Sequence, residues 1–350
     1  DLIASAGGTN PLGGEDVTVD GPVTIVAEAA QGFEGDPTLA RMLVRAAAAG
    51  RADTVKFQLV YADELATPQY EHHALFEQLE MPDMAWADVA GEASALGLGL
   101  AFDVFGLRSL HLALDLGAVA IKMHVSDFFH DELVDAVVAR SPAVYFSVGG
   151  ITVDEISAFV GRFDAPSVEK LTMLCGFQAE PTSTCDNHLT RLATFRDRFP
   201  ELRVGFMDHS DGGSDEAGWL GVLSLPFGVS VIEKHLTLDR SLELEDYVSA
   251  VGPQAFATYV ERIRLAESAL GRADIDPSPA EVAYRERAVK VLVAARSLQA
   301  GHQITQTDLR ILRAPLAEGQ QPIARFTDAV GFALARDVSV AEPIYRDDLR

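Results

Sequence analysis

From Val23 onward the chain alternates short apolar runs, rich in β-branched residues, with stretches whose apolar positions recur at helical spacing. The runs fall at 22–28, 54–59, 99–103, 118–124, 144–150, 170–175, 204–210 and 231–237, and several end in charged or polar residues. Continuous apolarity over so few residues predicts strands buried on both faces, as in a parallel sheet covered by helices. Helices are expected over 39–49, 86–96, 107–116, 129–140, 153–161, 216–224 and 256–270. In the first of these Leu39, Met42, Leu43 and Ala46 share a face.

Eight strands alternating with helices imply right-handed parallel crossovers, and eight such units predict an α/β fold, a closed (β/α)8 TIM barrel. A doubly wound open sheet is the alternative, but no G-x-G-x-x-G follows the first run. The barrel is expected over 21–271, after a loose lead-in at 1–20, with a linker at 272–288. A small domain at 289–350 shows short strands, a turn at Gly301 and a helix opening at Thr307, and 331–348 repeats that rhythm. About sixty residues bury little core, so this module is expected to lean on the barrel or on a partner chain.

Strand ends on a barrel deliver polar side chains to one mouth. Two neighbouring runs stop at an acid-and-histidine combination, Asp208-His209 and Glu233-Lys234-His235. A lone histidine there is equally well explained by a backbone carbonyl partner. Two at matching points can converge on one divalent cation, for which imidazole is a suitable ligand. Lys56 and Lys122 lie inside apolar runs, where an unpaired ammonium is costly, so ordinary exposed charge is the poorer reading of both.

Composition narrows the partners. The 350 residues are 48% hydrophobic, which excludes global disorder. A formal charge of -24 and a pI near 4.6 argue against nucleic acid and against anionic membrane surfaces. Residues 289–350 carry eight Lys and Arg against seven Asp and Glu, so the negative charge belongs to the barrel. Cys175 and Cys185 fit no C-x-x-C motif, no apolar run approaches membrane-spanning length, and no signal pattern opens the chain. A reducing, cytoplasmic setting is the expectation.

Ala27-Glu28, Val55-Lys56-Phe57-Gln58, Phe206-Met207-Asp208-His209 and Ile232-Glu233-Lys234-His235-Leu236-Thr237-Leu238-Asp239-Arg240 together resemble, in order, the motifs of the sialic acid synthase family. The stretch Ala294 to Leu309, with Leu312-Arg313-Ala314-Pro315, resembles that family's C-terminal antifreeze-like (SAF, β-clip) domain. The resemblance implies a carbon–carbon bond-forming transferase that condenses phosphoenolpyruvate with an N-acylated hexosamine, typically N-acetylmannosamine. The products are a nine-carbon 2-keto-3-deoxy sugar acid and phosphate. It further implies a homodimer in which the small domain of one chain covers the partner's barrel mouth.

Carried onto this sequence, the resemblance makes His209 and His235 ligands of manganese or magnesium. Lys56 and Lys122 become the donor-binding cations. Glu28, Gln58, Gln178 and Asp246 become sugar-side residues, and Arg313 the arginine contributed by the small domain. Such chemistry needs a cation to polarise the aldehyde and groups to move protons, for which Asp127, Glu28 and Glu233 are the candidates. Asp208 is a candidate to orient His209.

Some positions depart from the family pattern. Met207 stands where a phosphate-binding hydroxyl is expected, the turn after Lys122 reads Val125-Ser126-Asp127, and Asp103 falls near the place of a threonine. A carboxylate beside a phosphate site is adverse unless it faces the sugar or a basic partner. Two further readings therefore stay open: a metal-dependent aldolase or lyase with a different donor, and a family member that only binds a sugar.

Overall fold

A computed structural model describes residues 21–350 apart from 180 and 272–274, so the lead-in expected at 1–20 lies outside the described residues. Strands β1 (Thr24–Ala30), β2 (Thr54–Gln58), β3 (Gly99–Val104), β4 (Ala120–Met123), β5 (Val144–Ser147), β6 (Leu171–Cys175), β7 (Arg203–Asp208) and β8 (Val231–His235) pair in parallel and close into one barrel. Closure is made by β1 against β8, with Val26 beside Glu233 and Glu28 beside His235. The expected (β/α)8 barrel is the fold.

The period-2 alternation of strands decides what each residue faces. Val26, Ala101, Ala120, Tyr145, Leu174 and Val231 form a small apolar cluster of their own. Residues one position away along the same strands, such as Ile25, Phe102, Ile121 and Ile232, belong to the large cluster shared with the helices. Phe33, Phe57, Trp86 and Phe102 pack there edge to face.

Local signals account for the helix ends. The helix Pro37–Ala49 begins at Asp36, whose carboxylate accepts from the Thr38 amide at 2.6 Å, with Pro37 in the first turn. Its buried residues are Ala40, Leu43, Val44, Ala46 and Ala47, so the expected stripe is displaced: Met42 is 43% exposed, and small alanines take its place against the barrel. Among the described residues no helix is long and apolar enough to cross a membrane.

The chain divides into two compact units after Ala273. Two expectations for the second unit need correction. Part of the segment taken as a linker is a helix, Pro279–Ala288, because Ser278 and Glu281 form a reciprocal capping box with Pro279 at its first position. No helix opens at Thr307. Thr305 and Asp308 form a capping box around a single 3-10 turn, Gln306–Asp308, and the chain then enters strand β10 (Leu309–Leu312), antiparallel to β9 (Val291–Ala294).

The expected internal repeat is real. Arg296 pairs with Asp308 and Arg336 with Asp348, each at 2.6 Å and each twelve residues on, and Leu298 bridges Val338 in antiparallel register. Gly301, with φ +83°, has Ala341, with φ +64°, as its counterpart forty residues later. Left-handed backbone strains alanine but not glycine.

The buried carboxylate of Asp308 accepts from Arg296, from the Thr305 amide at 2.9 Å and from the Thr305 hydroxyl at 2.7 Å, and it meets His302 Nε2 at 2.8 Å. Burial alone would raise its pKa, but these hydrogen bonds outweigh burial and hold it well below the usual carboxylate range. A depressed folded value contributes stability that is present above the unfolded pKa of about 4 and is lost as pH falls through the folded one. Asp308→Asn is therefore expected to cost about 2 kcal/mol at pH 7. In denaturant titrations its difference from the unsubstituted chain should shrink as the medium is acidified from pH 5 to pH 2.

Candidate active site

The C-terminal ends of the barrel strands bring together most of the side chains that the sequence nominated. At the centre lie Glu28, Lys56, Asp103, Lys122 and Glu233, none more than 4% exposed. Lys56 Nζ contacts Glu28, lies 2.8 Å from Asp103 and 3.6 Å from Glu233. Lys122 Nζ is 2.7 Å from Glu233, 3.6 Å from Asp103 and 4.0 Å from Glu28. Two ammonium groups thus face three carboxylates, a formal charge of -1.

Each charge in this cluster is set by its neighbours. Burial alone would raise the Glu233 carboxyl, but Lys122 and Lys56 pull it down to about 2. Burial presses Lys56 below the ordinary lysine value despite Asp103 and Glu233. For Lys122 the same two carboxylates outweigh burial and keep it protonated. The Oδ2 of Asp103 and the Oε2 of Glu233 are buried without a hydrogen-bond partner.

His209 and His235 follow β7 and end β8, and their ring centroids lie 5.0 Å apart. Burial drives both imidazoles towards the neutral form, His235 to about 3 and His209 well below its usual value. His209 Nδ1 is buried with no hydrogen-bond partner, so a lone pair or an N–H there is left unmatched. Neutral, adjacent imidazoles with an orphaned nitrogen suit a divalent cation. Among the described residues no group of three or more His, Cys, Asp or Glu side chains is arranged to hold a metal, so two protein ligands would leave open positions.

The backbone pins both histidines. The carbonyl of His209 accepts from the Thr182 amide and the Ser249 hydroxyl, and that of His235 from the Val251 amide. On the opposite face of the same strands Lys234 Nζ lies 3.2 Å from Asp208 Oδ1 and donates to the Ser210 hydroxyl at 3.2 Å. The expectation that Asp208 holds the His209 ring is thus not what is seen: Asp208 Oδ1 accepts from the Ser210 amide and hydroxyl and neutralises Lys234. Alternation points Asp208 away from the side on which His209 lies.

A cavity of 490 Å³ opens beside the cluster, lined by Lys122, His124, Ser147, Gln178, Met207 and His209 among others. Gly176 borders it with φ +135°, and a Cβ at that position would run into the Met207 carbonyl oxygen. A second cavity of 220 Å³ lies against Gln178, Asp246, Tyr247 and Ser249. Gln178 Nε2 donates to Asp246 Oδ1 at 3.0 Å and joins the two. Gln58 Oε1 accepts from Gln31 Nε2 at 2.6 Å, and the Gln31 amide approaches Asp246 at 3.4 Å.

Asp127 is not part of the buried cluster of lysines and carboxylates. Asp127 sits in the 3-10 turn Val125–Asp127 with Ser126 Oγ at 2.6 Å, and burial raises its pKa. Arg313 belongs to the second unit, is exposed, and donates to the Ala288 carbonyl at 3.2 Å.

Sequence reasoning noted Asp103 only as a departure and passed over Gln31 and Arg240. Arg240 Nη1 donates to the carbonyls of Tyr247, Val248 and Ala250, and Nη2 to Asp211 Oδ1 at 3.1 Å. This holds the loop in which Glu243 and Asp246 adopt positive φ. The signal for Asp103 was its place at a strand end. For Arg240 no periodicity betrays partners that are backbone carbonyls seven to ten residues away.

The chain is 27% identical over 336 residues to the N,N'-diacetyllegionaminic acid synthase of Legionella pneumophila, covering 90% of this chain and 91% of that one. It is 24% identical to the pseudaminic acid synthase of Campylobacter jejuni strain 81-176, with coverages of 95% and 98%. In structure it resembles a putative spore coat polysaccharide biosynthesis protein E from Chromobacterium violaceum, with a TM-score of 0.75 at 20% identity, covering 94% of this chain and all of that one. A SAF domain matches residues 289–350, and the NeuB family matches residues 43–274, more than half of the chain. The chain belongs to the NeuB family.

Proposed function

We propose that the protein is an enzyme that joins a three-carbon enol donor to the aldehyde carbon of an N-acylated hexosamine, giving a nine-carbon 2-keto-3-deoxy sugar acid. The observation that carries this reading is that two neutral imidazoles, His209 and His235 at the ends of β7 and β8, share one barrel with the buried lysines Lys56 of β2 and Lys122 of β4. The relatives named above as legionaminic and pseudaminic acid synthases support it. Phosphoenolpyruvate is the donor that the family resemblance implies, with phosphate as second product.

His209 and His235 would hold a divalent cation, manganese or magnesium, which supplies Lewis-acid polarisation of a carbonyl. The chain's own residues do the rest. Lys122 and Ser147 line the cavity and would hold the donor carboxylate, an ammonium and a hydroxyl being suited to that charge. Gln178, Gln58 and Asp246 would bind hydroxyl and amide groups of the sugar. Asp127, raised by burial, is the carboxyl suited to give a proton to the aldehyde oxygen.

The test is purified protein with manganese, phosphoenolpyruvate or pyruvate, and a panel of N-acylated hexosamines, read as donor consumed and phosphate released. A second reading, an aldolase taking a donor without phosphate, is favoured by one observation: three buried carboxylates face two lysines. A homodimer and a cytoplasmic setting remain part of the proposal.

Arg240→Ala removes the clamp on the Asp246 loop without touching the cluster. It is expected to raise KM for the sugar about tenfold, equivalent to about 1.4 kcal/mol, and to change kcat less. Steady-state kinetics with the sugar varied would check the split.

A further inference from the structure

Behind the two histidines lies a buried polar group that the proposed reaction does not use. Lys234, Asp208 and Ser210 are all buried. Two residues earlier on the same strands, Ile232 and Phe206 belong to the cluster shared with the helices. By alternation Lys234 and Asp208 therefore face away from the barrel interior, where neither a cation nor a sugar would touch them.

The contacts of Lys234 span both histidine-bearing segments. Asp208 and Lys234 are register partners on β7 and β8. Lys234 Nζ lies 3.2 Å from Asp208 Oδ1, and it donates to the Ser210 hydroxyl at 3.2 Å and to the Ser210 carbonyl at 3.3 Å. One ammonium of β8 thus grips the residues on either side of His209, while the next residue of its own strand is His235. Asp208 Oδ1 tightens the grip by accepting from the Ser210 amide at 3.0 Å and hydroxyl at 2.6 Å, which closes a turn with His209 at its middle.

Stability gives little reason for such a pair. Burying two charges costs desolvation, and replacing both by apolar side chains of similar volume is often neutral or stabilising. What apolar side chains do not supply is direction. The hydrogen bonds of Lys234 fix the turn at His209 relative to the strand that carries His235. A ligand pair works only when held within about 0.5 Å of its productive geometry. Among the described residues no group of three or more His, Cys, Asp or Glu side chains is arranged to hold a metal, so the spacing of these two imidazoles is decisive.

We infer that Lys234, with Asp208 and Ser210, is a positioning device that sets His209 and His235 at the spacing one divalent cation requires, acting through the backbone from the outer face of the barrel. This rests on the reading of the two histidines as metal ligands.

The experiment compares the full chain with a double variant, Lys234→Met with Asp208→Leu, which removes both charges together. Stability is read by denaturant titration, and manganese affinity by equilibrium dialysis without substrates or denaturant. The double variant is expected to keep the stability of the unsubstituted protein and to hold manganese about tenfold more weakly, the scale of losing a group that orients metal ligands. Should it fail to fold, Ser210→Ala, which deletes one hydroxyl of the grip, is read in its place and is expected to weaken manganese binding about threefold. Manganese held as tightly by the variant that folds as by the unsubstituted protein overturns the inference and leaves the metal site standing. An unsubstituted protein that binds no manganese sinks the reading of the histidines as ligands, and the inference with it.

Discussion

His235→Ala is expected to lower kcat/KM for the condensation about a thousandfold, the scale of losing a central electrostatic group in an enclosed site. That is about 4 kcal/mol of transition-state stabilisation. His209→Ala should match it. If both imidazoles hold one cation, the double variant is expected to be little worse than either single one, since removing one ligand already removes the group's effect. Metal content reports the same loss independently of turnover. The single variants are expected to retain manganese at least tenfold more weakly in equilibrium dialysis. His111→Ala, on the exposed face of the helix Leu107–Asp115, serves as control and should bind metal as the unsubstituted protein does.

Lys56→Met carries the largest expected effect on stability. It leaves Glu28, Asp103 and Glu233 buried around Lys122 alone, and breaking a buried pair by removing one partner costs about 3–5 kcal/mol. The cost arises from uncompensated carboxylates rather than lost packing, since methionine fills a similar volume. Lys56→Met combined with Asp103→Leu should therefore recover much of it, a coupling measurable in a double-mutant cycle. The chain's tryptophans, Trp86 and Trp219, both lie in the barrel unit, so fluorescence in a denaturant titration reports that unit. An additive double variant would show that Lys56 and Asp103 do not compensate one another.

The barrel was legible because its strands are buried on both faces and so read as unbroken apolar runs, and because parallel neighbours require helices between them. The site was legible as far as the runs carried it: Glu28, Lys56, Lys122, Glu233, His209 and His235 all lie in or just after apolar runs, and the family resemblance supplied the roles of Glu28, Lys56 and Lys122. What the runs do not encode is which strand ends meet. Asp103 reads as an adverse carboxylate beside a phosphate until barrel closure places it 2.8 Å from Lys56.

Elsewhere the misreadings share a cause. Thr305-Gln306-Thr307-Asp308 has a helix-opening signature, and the structure uses that capping box, yet the following Leu309-Arg310-Ile311-Leu312 pairs with β9 and the turn stops at one. Ser278-Pro279-Ala280-Glu281 carries the same kind of signature inside a segment that composition marked as linker, and there a helix does follow. Local capping chemistry is alike in both; tertiary pairing decides what comes next. Arg240 and Gln31 could not be found from pattern at all, because Arg240 meets loop carbonyls seven to ten residues on together with Asp211, and Gln31 meets Gln58 and Asp246 on other parts of the barrel.

The claim on which the rest stands is that this barrel mouth makes a carbon–carbon bond between a three-carbon donor and an acylamino sugar. Accurate-mass analysis of the products from protein, manganese, a three-carbon donor and an N-acylated hexosamine tests it directly. A new 2-keto-3-deoxy acid with a nine-carbon backbone, absent with His235→Ala, is the predicted result. Unchanged sugar with both pyruvate and phosphoenolpyruvate, across the panel and at saturating metal, would contradict it.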